Sequence, residues 1–89
     1  MDIETKIKKA AEDDGLVIGV KSVIAKAQLR GLNDIILSSN CPDVLVSNVS
    51  HVAELSEIPV ERFNKNSRDL GEICRKPFTI AVLGILKKS

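Results

Sequence analysis

Gly19, Lys21 and Ser22 stand just past one short apolar run, Asn40 just past a second, and Arg75, Lys76, Pro77 and Phe78 just before a third. A glycine at the mouth of a helix leaves the first backbone N–H groups open, and with the positive end of the helix dipole they form an anion site. Lys21 adds a full charge there and Ser22 a hydroxyl. Lys26 and Arg30 share a helical face one turn apart and can follow a line of anions. Asn40 can donate and accept at once, and Phe78 offers a ring face for stacking. This is the chemistry of recognition, not of bond-making. Each residue also has a structural reading. Gly19 can simply end a strand, Ser22 and Asn40 can cap helices, Arg75 and Lys76 can complement a helix C-terminus, and Phe78 can pack in the core.

Catalytic constellations are missing. His51 is the only histidine and has no sequence neighbour that would activate Cys41 or Cys74. One histidine and two distant cysteines fall short of a zinc site, and no glycine-rich loop ends in Gly-Lys-Ser/Thr. No enzyme, cofactor or metal is expected.

The elements that must position these residues follow from apolar spacing. Ile3, Ile7, Ala10 and Ala11 repeat at helical intervals behind Asp2, an N-cap residue, and Asp13-Asp14-Gly15 stops the helix. Leu16-Val17-Ile18 reads as a strand feeding a helix that carries Val20, Val23, Ile24 and Ala27. That helix ends at Arg30-Gly31, with the glycine free to take positive φ. Asp34 to Ser38 is a second buried strand, joined to the first by a helical crossover long enough to make the two parallel. Pro42 suits a first helical turn, but the periodic set of the third helix becomes clean only after Ser47, so an irregular turn is expected before it. Val60 to Phe63 reads as a partly exposed third strand after the Ile58-Pro59 break. Ser67 is read as the cap of a fourth helix bearing Leu70, Ile73 and Cys74. Phe78 to Ile85, apolar on both faces, reads as a central strand. The order α-β-α-β-α-β-α-β predicts an α/β fold, a three-layer α/β/α sandwich about a four-stranded sheet.

Eighty-nine residues, 44% hydrophobic and 28% charged, fit residues 1–89 as a single soluble domain with no second core. The net charge of only +1 means that attraction to a polyanion must come from local clusters of Lys and Arg. Two cysteines and no apolar leader core point to a reducing, cytoplasmic setting. No apolar run reaches the roughly 18 residues of a membrane span.

Taken in order, Gly19-x-Lys21-Ser22, Asn40-x-Pro42, Ala53-x-Leu55-Ser56, Ile58-Pro59-Val60, Ser67-x-x-Leu70-Gly71 and Lys76-Pro77-Phe78 resemble the ribosomal L-thirty-e family. That family is a branch of the L-seven-Ae superfamily of small RNA-binding proteins. The resemblance runs from about Leu16 to Ile85. It implies a mixed sheet whose last strand runs antiparallel to the first two, so that its entry loop lies beside their exits. It also implies binding of kink-turn or internal-loop RNA, with ribosomal RNA and neighbouring ribosomal components as partners and a monomer when free. By this resemblance Gly19 admits the RNA backbone, Lys21 and Ser22 are the polar pair at the helix start, and Asn40 contacts a base or sugar. Arg75, Lys76, Pro77 and Phe78 then pack against a splayed nucleotide. The small-ribonucleoprotein branch carries Asn-Glu where this chain has Lys21-Ser22, and neither lysine nor serine accepts as a carboxylate does. That favours the ribosomal branch over a stand-alone kink-turn protein of a small ribonucleoprotein, and a protein-interaction module on the same fold stands as the rival from another class.

Overall fold

The three-residue run Leu16–Ile18 can pair with a neighbouring strand only until Gly19 turns the chain into a helix, and Pro42 and Asn66 open the helices that follow the next two strands. The computed structural model describes residues 3–87. In chain order the elements are α1 (Ile3–Glu12), β1 (Leu16–Ile18), α2 (Val20–Gln28), β2 (Leu32–Leu37), α3 (Asp43–Leu55), β3 (Val60–Arg62), α4 (Ser67–Ile73) and β4 (Val82–Leu86). The sheet order is β1-β4-β2-β3. β4 pairs antiparallel with both β1 and β2, whereas β3 pairs parallel with β2. The doubly apolar strand is therefore central, and β1, β2 and β3 all leave the sheet at the edge where β4 enters. The proposed cap Asp2 lies outside the described residues.

Alternation along the strands sorts side chains into two cores. Val17, Ile35, Leu37 and Val82 pack against Val23 and Ala27 of α2 and Val49 and Ala53 of α3. Ile36 and Leu83 face the other way, against Ile7 of α1 and Leu70 and Cys74 of α4. Leu32 joins the first core although its parity matches Ile36, because a register shift between Leu32 and Asp34 turns it over. Gly84, two residues before Leu32's register partner Leu86, leaves the space that Leu32 fills, since a Cβ there would stand 2.8 Å from a Leu32 methyl carbon.

Several boundaries differ from the sequence reading. β2 begins at Leu32 instead of Asp34, and β3 ends at Arg62 with Phe63 just beyond it, 6% exposed. α3 is regular from Asp43, directly after Pro42 (φ −59°). Its first turn carries the exposed Val44, so no apolar periodicity announces it. The cap of α4 is Asn66, whose side chain accepts from the Asp69 N–H, and Ser67 is the first helical residue. β4 starts at Val82, four residues after Phe78, because its partners run out. Leu37 pairs with Val82 and Ile18 with Leu83, after which both neighbours turn away. Phe78 thus lies in the preceding loop, 53% exposed, and is not core.

Among the described residues, all four helices end with a left-handed residue that is not glycine: Asp14 (φ 58°), Arg30 (φ 57°), Glu57 (φ 56°) and Arg75 (φ 58°). Each donates to the carbonyl three residues back, and the following residue donates five back, as in Glu57 to Glu54 and Ile58 to Ala53. At the end of α2 the positive φ belongs to Arg30, with Gly31 the residue after it. An L-residue in this conformation carries a cost of about 1–2 kcal/mol that glycine does not. Glu57→Gly is therefore expected to stabilise the fold by roughly 0.5–1 kcal/mol after the entropy of the unfolded glycine is deducted. For a domain of this size that raises the melting temperature by about 2–8 °C. A melting temperature equal to or below that of the parent would refute it.

Candidate nucleic-acid interface

Gly19 has φ 96° and ψ 147°, a region open to glycine alone, and an added Cβ would meet no atom within 4 Å. The glycine is required by the backbone and leaves open space outside. Its N–H donates to the Val82 carbonyl (3.1 Å), which pins the α2 start to the entry of β4. The first bond within α2 runs from Val23 to the Gly19 carbonyl (3.0 Å). The amides of Val20, Lys21 and Ser22 precede it, and neither a capping side chain nor an acidic first-turn residue covers them. Lys21 and Ser22 are exposed. Ser22 sits in the first turn and does not cap it.

The second segment meets the same point. Ser38 donates its N–H to the Ala81 carbonyl (2.9 Å), one residue from the Gly19 partner. Asn40 follows, exposed, with its side chain turned to α4. Oδ1 accepts from the Ser67 N–H at 2.9 Å, and Nδ2 lies 3.4 Å from the Ser67 hydroxyl oxygen. Asn40 thus does not cap the α3 that follows it.

The third segment divides. Pro77, Phe78 and Thr79 line an open groove of about 320 Å³ with Arg68 and Glu72 of α4, and Ile80 N–H returns to the Ser67 carbonyl (2.9 Å). Lys76 lines this groove too, and it also borders Leu16 and Ile18 of β1 and Cys74. Arg75 lies at the far end of α4 with Lys8 and Glu12 of α1. Lys26 is likewise remote from the edge, in the last turn of α2 with its stem near Gly31. The fold therefore gathers Gly19, Lys21, Ser22, Asn40 and the Lys76-Pro77-Phe78 loop, and leaves Lys26 and Arg75 at the other ends of their helices.

Three cations were missed by the reading of the sequence. Because β3 is parallel to β2, its exit lies at the same edge. Arg62 Nη2 stands 3.5 Å from the carbonyls of both Ser39 and Cys41, and the Lys65 carbonyl accepts the Ser39 N–H (2.9 Å). Lys65 Nζ faces Glu4 at 3.8 Å, and Arg68 shares the groove of Phe78. The signal available was the capped turn Asn64-Lys65-Asn66 between a third parallel strand and a helix.

The two cysteines are packing residues. Burial pushes the Cys41 thiol up from its ordinary range, with Arg62 opposing and Asp43 assisting, and burial does the same to Cys74 against Lys76. Both stay protonated at neutral pH, and they sit in different cores on opposite faces of the sheet. Among the described residues, no group of three or more His, Cys, Asp or Glu is placed to hold a metal, and no helix is long and apolar enough to cross a membrane.

Residues 1–89 match the model of the ribosomal protein L7Ae/L30e/S12e/Gadd45 family. The chain belongs to this family. It is 35% identical over 83 residues to the large ribosomal subunit protein eL30 of Methanothermobacter thermautotrophicus, covering 93% of this chain and 85% of that one. With the protein of the same name from Methanocaldococcus jannaschii the identity is 33% over 86 residues, covering 97% and 78%. Among solved structures, a Giardia lamblia 15.5kD RNA binding protein superposes with a TM-score of 0.86 at 16% identity, covering 98% of this chain and 72% of that one. The family's mixed sheet, with its last strand antiparallel to the first two, is the sheet described above. The two curated relatives are large ribosomal subunit proteins, in keeping with a binding protein in place of an enzyme.

Proposed function

We propose that this protein is a component of the large ribosomal subunit that docks a kinked internal loop of ribosomal RNA on the edge where β1, β2 and β3 leave the sheet. The observation that carries this reading is the meeting of the Gly19 and Ser38 amides on the consecutive carbonyls of Val82 and Ala81, in a chain of this family. The open start of α2 and Lys21 take a phosphate, and Ser22 adds a hydroxyl. Phe78 supports a base turned out of its stack, since RNA bases are recognised where they are splayed. Arg62, Lys65 and Arg68 extend the positive face along the β3 side, which supplies the local charge that a net of +1 does not. Protonated, buried thiols add no competing chemistry.

Lys21→Ala is expected to weaken binding of a kinked ribosomal RNA fragment about fivefold to tenfold and to reduce the slope of log affinity against log salt by about one. Titrations at several salt concentrations read both quantities. An unchanged slope would remove Lys21 from the phosphate contact. A preference for a box C/D RNA over the ribosomal fragment would assign the protein to a small ribonucleoprotein instead.

A further inference from the structure

The Asn40 amide is engaged inside the protein, although the residue is exposed. Its Oδ1 accepts the Ser67 N–H (2.9 Å), and its Nδ2 approaches the Ser67 Oγ (3.4 Å). The Ser67 carbonyl in turn accepts the N–H of Ile80 (2.9 Å), two residues after Phe78. One residue before Asn40, Ser39 N–H is tied to the Lys65 carbonyl (2.9 Å). The first turn of α4 does not depend on this contact for capping. Asn66 already serves the Asp69 N–H, and at an exposed helix start water can satisfy Ser67 N–H. Ser38 N–H already joins the connection after β2 to the one before β4 at the Ala81 carbonyl (2.9 Å), and the Asn40–Ser67 pair adds a second tie between them that runs through the start of α4. Ile80 is buried and fixed, while Phe78 beside it is exposed, so the tie sets where the ring is held out.

We infer that Asn40 is a positioning residue, which holds the Phe78 loop in its docking geometry through Ser67 and Ile80 and does not itself read the ligand. The inference rests on the proposal that RNA binds at this edge. Preorganisation of this kind raises affinity by removing the cost of ordering the loop on binding.

Ser67→Pro separates the tie from the amide. Proline is favoured at the first position of a helix, and Asn66 before it is already extended (φ −79°, ψ 177°), as a residue preceding proline must be. The substitution removes the N–H that Asn40 holds and leaves the Asn40 amide free. Asn40→Ala and Ser67→Pro are each expected to weaken binding of the kinked ribosomal RNA fragment by about threefold to tenfold. The double variant should be no weaker than either single one, and hydrogen exchange at the Ile80 amide should quicken in both. Asn40→Asp, which keeps the acceptor for Ser67 N–H, should retain the slow exchange. Loss of affinity in Asn40→Ala with Ser67→Pro binding like the parent would overturn the inference and make Asn40 a direct contact. Parental Ile80 exchange in Ser67→Pro would overturn it too. Failure of the parent protein to bind the RNA would refute the proposed function instead, and Ile80 exchange would still decide the tie.

Discussion

Gly71→Ala is expected to destabilise the fold by about 2–3 kcal/mol, a large cost for one methyl group. Gly71 lies in α4, buried, where the Phe78 loop crosses the helix. A Cβ there would collide with the Phe78 carbonyl oxygen and stand 3.2 Å from its carbonyl carbon. The obstructing atoms are backbone and cannot rotate aside. Either the loop leaves α4, breaking the Ile80 to Ser67 and Lys76 to Gly71 bonds, or α4 shifts from the core that holds Leu70 and Cys74. The first outcome moves Phe78, so RNA affinity should fall together with stability. Urea unfolding and an RNA titration of the same preparation check both, and a variant within 0.5 kcal/mol of the parent (about the scatter of a neutral surface change) would show that the crossing is not close.

Phe78→Ala is expected to separate those two quantities. The ring is half-exposed and belongs to neither core cluster, so its loss leaves no sealed cavity and the unfolding midpoint should move little. If the ring stacks on a base, its removal costs about 1–3 kcal/mol of binding, roughly fivefold to 150-fold in affinity. Phe63, the only other aromatic residue, supplies the contrast. It is buried in the second core, and Phe63→Ala should cost about 3–5 kcal/mol of stability. A Phe78→Ala protein that binds as the parent does, or unfolds as readily as the Phe63 variant, would contradict the assignment.

Most of the fold was legible because apolar spacing and breakers agree with tertiary packing. Val20, Val23, Ile24 and Ala27 declare α2, and Leu16-Val17-Ile18 followed by Gly19 declares the turn beside it. The start of β4 was not legible because Phe78 and Ile80 alternate like strand residues, whereas the length of a strand is set by its neighbours, and β1 and β2 had already ended. The bulge after Leu32 was hidden for a similar reason, since parity along one strand does not reveal how its partner is registered. Of the candidate edge, the Gly19 and Asn40 segments could be placed once two parallel strands were inferred. The link from Asn40 to Ser67 spans 27 residues and leaves no local pattern. Lys26 and Arg75 show the converse, cations near a motif in sequence that a helix carries to its other end. Arg62 and Arg68, which the third parallel exit brings to the edge, were overlooked because β3 is short and its turn looks like ordinary surface.

The central claim, that one edge of the sheet receives a bent RNA, is tested most directly by backbone amide chemical shifts during titration with a kinked ribosomal RNA fragment and with a straight duplex of equal length. The kinked RNA is expected to shift the amides of Gly19, Lys21, Ser22, Asn40, Phe78 and Thr79. The amides of Gly15, Asn33 and Lys87, which border a groove at the opposite end of the sheet, should stay in place, and the straight duplex should act far more weakly. Shifts centred on Gly15, Asn33 and Lys87, or equal responses to the two RNAs, would contradict the account.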